Sequence, residues 1–244
     1  MPDIHVGTSG WNYEVFVERL YPNGTPKRNF LNEYAKRLQT VELNATFYRS
    51  FPQSTWQGWY RRTPPDFLWS VKAPRFFTHI RRLDVTAESL DRFWRDTCPL
   101  EEKLAVVLFQ LPPSLKFDIM LFRSFFDRQP SGARIALEAR HPSWHDAQVW
   151  NLLKERNISW VISDTAGRYP ISILTTADFA YVRLHGPTGL YRGLYGGDQL
   201  KEWLETIRQW DIETFLYFDN TDDGSAAIDA LDMAELVSAT RRSS

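Results

Sequence analysis

The ten residues from Ala136 to His145, ALEARHPSWH, concentrate side chains that do chemistry. The stretch opens as an apolar strand and then presents a carboxylate (Glu138), a guanidinium (Arg140), an imidazole (His141) and an indole (Trp144). A carboxylate serves as base, nucleophile or ion-pair partner, a guanidinium holds anions, and an imidazole moves protons near neutral pH. Polar pairs two residues apart recur in other apolar runs: Glu42 with Asn44, Ser70 with Lys72, and Arg183 with His185. In a strand that spacing places both members on one face. Polar groups inside an apolar run are costly to bury without partners, so Glu42–Asn44 and Arg183–His185 read as site residues rather than as ordinary strand ends. Gln110, Asp164, Asp219 and Asn220 end other apolar runs, and Trp11 follows the first of them.

These residues need a scaffold that gathers strand ends. Eight strand-like runs occur: Ile4–Thr8, Thr40–Phe47, Phe67–Ala73, Leu104–Gln110, Ala133–Ala139, Ser159–Asp164, Phe179–Gly186 and Glu213–Asn220. Several are apolar almost throughout, as in parallel strands covered on both faces. Helix-spaced apolar residues separate most of them, with Asp118 and Asp146 as helix starts and Asp222–Ser225 as a cap for the last helix. Strand–helix alternation at about 30 residues per repeat predicts a TIM-type (β/α)8 barrel, one domain over residues 1–244. The short, Pro170-bearing link Tyr169–Asp178 predicts a reduced or missing helix between strands six and seven. In such a barrel function sits at the C-terminal ends of the strands.

Composition narrows the classes. A net charge of -1 advertises neither nucleic acid nor membrane globally, and no apolar run approaches a membrane span. Cys98 stands alone, which excludes an intramolecular disulfide framework and a multi-cysteine zinc site. No signal-like segment opens the chain, so a cytoplasmic protein is expected. Nothing in the sequence sets an oligomeric state.

By parity the inward ring holds Glu42, Glu138, Asp164 and Asp219 against Lys72, Arg140 and Arg183. Carboxylates that face cations are held charged, and cations left partly unpaired attract a phosphate or carboxylate. The leading expectation is a small anionic or phosphate-bearing ligand, with hydrolysis of a phosphodiester or sugar phosphate. Glu138, Glu42, His185 and Asp164 would be the catalytic groups. Asn44, Lys72, Gln110, Arg140, Arg183, Trp11, Trp144, Asp219 and Asn220 would bind the substrate. The glycine-rich loop 186–197, GPTGLYRGLYGG, follows strand seven, where barrels often bind phosphate, although it lacks the P-loop signature.

Alternatives draw on the same residues. No cofactor is expected; a divalent metal would draw on Glu138, Asp164 and His185, with His141 as an optional further ligand. DNTDDG at 219–224 fails as a calcium loop because its twelfth position is Ala230. Glu42 and Glu138 are candidates for a glycoside hydrolase pair, and Lys72 for a Schiff base. A non-catalytic module would bind nucleic acid, stacking bases on Trp11, Tyr13, Phe47, Tyr48, Trp144, Tyr191 and Tyr195 beside Arg140, Arg183 and Arg192. If Glu42, Glu138 and Arg183 close on one another, the ring is instead an ion-pair network holding the barrel top.

Seven motifs in order resemble those of the domain-of-unknown-function-72 family, also called YecE-like: GTSGW at 7–11, ELNATFY at 42–48, FLWSVK at 67–72, FQLPP at 109–113, EARHPSW at 138–144, YVRLHG at 181–186 and YFDNTDDGSAA at 217–227. The resemblance spans nearly the whole chain and implies a one-domain TIM-type barrel. It brings no activity and no agreed catalytic residues. Family members often carry Asn-Asn where this chain has Asp219–Asn220, so no chemistry that needs a carboxylate at 219 follows from it.

Overall fold

In the computed structural model, which describes residues 2–242, eight strands run parallel. They are β1 (Ile4–Thr8), β2 (Thr40–Leu43), β3 (Leu68–Lys72), β4 (Leu104–Gln110), β5 (Ile135–Glu138), β6 (Ile158–Asp164), β7 (Phe179–Leu184) and β8 (Glu213–Phe218). From β2 to β8 each strand pairs with its sequence neighbour, and β1 pairs with β8. A bridge between Ser9 and Glu42 joins the ends of β1 and β2 and closes the barrel. Gly7 allows that closure: a Cβ there would stand 2.2 Å from the Thr40 carbonyl oxygen. The expected TIM-type (β/α)8 barrel is therefore the fold.

The helices are α1 (Phe30–Tyr34), α2 (Ala45–Tyr48), α3 (Gln53–Arg62), α4 (Ala87–Thr97), α5 (Ile119–Phe126), α6 (Ala147–Glu155), α7 (Gly196–Arg208) and α8 (Ser225–Arg242). Asp118 and Asp146 cap α5 and α6, accepting from the backbone N–H groups of Leu121 and Gln148. Asp223 accepts from Ser225 N at the start of α8. Between β6 and β7 no helix forms. The Thr176 hydroxyl takes over part of its role, accepting from Trp160 N (2.7 Å) and donating to Ile158 O (2.6 Å). The second strand ends at Leu43, earlier than its apolar run suggested. Thr46 turns the chain into α2 by hydrogen bonding to the carbonyls of Leu43 and Lys72.

Alternation splits the strand side chains into two layers. Val107, Phe109, Leu137, Ile162, Val182, Leu216 and Phe218 pack outward in the main helix-facing core. Val106, Leu108, Ala136, Val161, Tyr181, Phe215 and Tyr217 fill the barrel. Tyr217 ties the interior together, its hydroxyl 2.7 Å from Thr40 Oγ1 and 2.8 Å from Ser70 Oγ. Above this layer each inward position lies at the C-terminal mouth.

Candidate anion site at the barrel mouth

Arg183 is the centre of the mouth. It is fully buried, two residues beyond the inward Tyr181 on β7. Its Nε donates to Glu42 Oε2 (3.0 Å) and its Nη2 to Glu42 Oε1 (2.8 Å), a bidentate pair. Its Nη1 donates to Glu138 Oε2 at 2.6 Å, and Nη2 also reaches Asp219 Oδ2 at 3.0 Å. One guanidinium thus binds three carboxylates from β2, β5 and the end of β8.

The glutamates are nearly saturated. Glu42 also accepts from the hydroxyls of Ser9 and Tyr181, each at 2.8 Å. Glu138 Oε1 accepts from Gln110 Nε2 (2.9 Å) and Arg140 Nε (2.8 Å). Burial alone would raise the Glu138 pKa, but Arg140, Arg183, His185 and Lys72 outweigh it and hold the carboxyl well below the usual range. The same contest brings Asp219 down to about 2, with burial opposed chiefly by Arg183 and His185. Carboxylates so fixed in the charged form orient their neighbours. Geometry therefore corrects the expectation that Glu42 or Glu138 is a free base or a glycosidase pair, because their oxygens already accept the donors around them.

His185 is also enclosed. Its Nδ1 lies 2.8 Å from Asp219 Oδ2. Its Nε2 lies 3.2 Å from Arg183 Nη1.

Two cations keep unoccupied donors. Lys72 is only 8% exposed, and its ammonium makes no hydrogen bond or ion pair among the described residues; it sits 4.6 Å from the centroid of the Phe47 ring. Burial, reinforced by Arg183, lowers its pKa to about 8 despite the three carboxylates. Arg140 uses Nε on Glu138 and lies over the Tyr169 ring, while its Nη2 is buried and donates to nothing in the protein. His79, in the π-helical turn Phe76–Ile80 after β3, packs on the same Phe47 ring at 5.0 Å. Burial and the charges of Lys72 and Arg140 bring its pKa to about 4, so its imidazole is neutral at pH 7.

The remaining sequence-predicted residues fall elsewhere. Asp164 shares its face with Ile162 in the outer layer, so it points away from the ring and accepts from Tyr195 OH (2.9 Å) and Ala166 N (3.1 Å). Asn220 bonds to Gly193 O and Asp229 Oδ2, fastening the loop after β7 to α8. Trp144 is buried core, with Nε1 donating to Leu115 O. With Asp164 turned away, the metal set Glu138, Asp164 and His185 is not brought together, and the optional ligand His141 accepts from Ser143 N. Among the described residues no group of three His, Cys, Asp or Glu side chains is placed to hold a metal ion. In the loop 186–197 the N–H groups of Gly186, Tyr191, Gly193, Tyr195 and Gly196 donate to protein oxygens and so are not open to a phosphate. Gly186 is needed there, since with φ +118° a Cβ would meet Arg192 O at 2.1 Å. Asn44 and Trp11 line a cavity beside the ring.

Sequence reasoning overlooked Ser9, Tyr181, Tyr169 and His79. Tyr181 shares the parity of Arg183 and was open to discovery. His79 lies outside any strand, and only the turn brings it beside Lys72.

A parallel eight-stranded barrel whose mouth is centred on one arginine and three carboxylates defines the class: a TIM-type barrel with a buried ionic mouth. The chain belongs to the family described as Protein of unknown function DUF72, whose model matches residues 5–244. It is 28% identical to YunF of Bacillus subtilis over 96% of this chain and 94% of that protein. It is 22% identical to YecE of Escherichia coli O157:H7 over 88% and 84% of the two chains. A crystal structure of a DUF72 family protein from Thermotoga maritima superposes with a TM-score of 0.86 at 30% identity, covering 96% of this chain and 99% of that one. An AP endonuclease, family 2, from Brucella melitensis shares the fold, with a TM-score of 0.63 at 11% identity over 96% and 99% of the chains.

Proposed function

We propose that the barrel mouth binds one compact anion, a phosphate or the phosphate of a small molecule, held directly by Lys72 and Arg140. The observation that carries this reading is the ammonium of the largely buried Lys72, which has no carboxylate partner among the described residues although three stand nearby, all bound to Arg183. An isolated buried charge is costly, and an anion in the mouth removes that cost. The ring holds three cations (Arg183, Lys72, Arg140) and three carboxylates (Glu42, Glu138, Asp219). Selectivity then comes from unoccupied donors rather than from a net positive field, which suits one phosphate rather than a polyanion.

Hydrolysis of a phosphoester is the reaction this seat fits. Lys72 and Arg140 would stabilise the charge that grows on the phosphoryl oxygens. The neutral His79 would orient the attacking water; as the new oxygen–phosphorus bond forms and the bond to the leaving group breaks, the water's proton passes to the leaving-group oxygen or to solvent. Glu42 and Glu138 form the fixed floor.

Calorimetric titration of inorganic phosphate at pH 7 tests the seat. Wild type is expected to release heat that Lys72→Met abolishes, and equal heats in both would sink the reading. Turnover of para-nitrophenyl phosphate by wild type beside His79→Gln tests the hydrolytic step separately. Equal rates would remove His79 from it and leave the binding seat standing.

A further inference from the structure

Beside the ring, over the ends of β1 and β2, lies a trough of about 790 Å³. That is within the range of roughly 300–1,000 Å³ that accommodates a whole organic ligand, and more than a single phosphate needs. Four cations line it, Lys27, Arg28, Arg49 and Arg62, and its lining contains no aspartate or glutamate. This concentration stands out in a chain whose net charge is -1. Arg28 and Arg49 are exposed and make no ion pair among the described residues; Arg49 instead lies 4.7 Å from the centroid of Phe51. Lys27 reaches Glu14 outside the trough at 3.3 Å, and Arg62 donates to Asn32 Oδ1 and to the Arg28 carbonyl.

Aromatic faces alternate with these charges. Tyr48 is 73% exposed, held edge-on against Phe47, and Trp11 and Phe51 are partly open. Exposing so much of a tyrosine ring beside free arginines does nothing for the core. It does suit a ligand with flat π faces and repeated negative charges. Asn44 adds a polar reader: it lines the trough, and its Oδ1 is buried with no donor in the protein.

We propose that this trough binds single-stranded nucleic acid, with phosphates on Arg28, Arg49, Lys27 and Arg62 and a base stacked on Tyr48. The Asn44 carbonyl would accept a hydrogen bond from an exocyclic amino group. An acidic peptide would satisfy the arginines but has no flat rings for Tyr48 to stack against. The surface is distinct from the compact seat at Lys72 and stands whether or not that seat binds phosphate.

The test is fluorescence anisotropy with a fluorescein-labelled oligodeoxycytidylate of about 15 nucleotides, whose bases carry exocyclic amino groups. Four engaged phosphates give a plot of log K against log salt with a slope of about −3. Arg28→Gln/Arg49→Gln is expected to halve that slope, and Tyr48→Ala to weaken binding by about ten-fold at constant slope. All three positions are exposed, so melting temperatures should match wild type. Lys72→Met should bind the oligonucleotide as wild type does. A slope shallower than −1, or unchanged affinity in the arginine pair variant or in Tyr48→Ala, would overturn the proposal. So would polyglutamate binding as tightly as the oligonucleotide, or loss of oligonucleotide binding in Lys72→Met.

Discussion

Replacing Lys72 by methionine should make the protein more stable at neutral pH. The side chain is largely buried, its ammonium has no hydrogen bond or ion pair among the described residues, and its pKa falls to about 8 from the 10.5 of a free lysine. A fall of that size corresponds to about 3 kcal/mol by which the folded state disfavours the charged form. The contact with Phe47 returns about 1 kcal/mol. Methionine fills a similar volume with no charge to desolvate. The net gain is about 2 kcal/mol, or roughly 4–8 °C in melting temperature for a chain of this length. The sign with pH follows from the same values. The folded pKa lies below the unfolded one, so between about pH 8 and 10.5 the unfolded chain binds more protons. Wild type therefore gains stability as pH rises through that window, and its deficit against Lys72→Met closes. Differential scanning calorimetry in phosphate-free buffer, at neutral pH and again near the top of that window, reads both effects. A variant that melts below wild type at pH 7, or a gap that does not change with pH, would refute the description of Lys72 as an unpaired buried cation.

Arg183→Met strands three buried carboxylates and should cost at least about 3–5 kcal/mol at pH 7. The loss should shrink in acid, because carboxyls freed of the guanidinium take up protons; urea midpoints at pH 7 and 4.5 that fall equally would contradict this. In wild type, Asp219 has its folded pKa at about 2. Its contribution is complete above the ordinary carboxylate pKa and is lost as pH falls through about 2, which acid unfolding followed by circular dichroism should register only in that range. Gly7→Ala sets a methyl against the Thr40 carbonyl at the barrel seam and should cost about 3 kcal/mol or prevent closure; an unchanged denaturation midpoint would mean the seam is looser than described. Asp164→Asn should leave the heat of phosphate binding unaltered while costing about 1 kcal/mol through its bond to Tyr195. Loss of phosphate binding in that variant would return Asp164 to the site.

Much of the architecture follows from local rules. Apolar runs with Asp118 and Asp146 at helix starts set the alternation, and the ring parity of Glu42, Lys72, Gln110, Glu138, Arg183 and Asp219 follows from the two-residue period of a strand. On β6 the two-residue period leaves the inner face open: Asp164 aligns with Ile162, which packs against helices, whereas Val161 lies inside the barrel. A run apolar on both faces does not mark its inner side by composition, so only closure of the sheet distinguishes the two.

Side-chain types and spacing, then, determined by themselves that charged groups would collect at the C-terminal mouth. Tertiary structure decided how they share one another. Nothing local to Arg183 says that it binds Glu42, Glu138 and Asp219 together, for these lie on three other segments of the chain. Only after that pairing is set do Lys72 and Arg140 stand out as cations with donors left over. Hydrogen-bond capacity is finite, and which cation completes its set depends on the distances that barrel closure imposes.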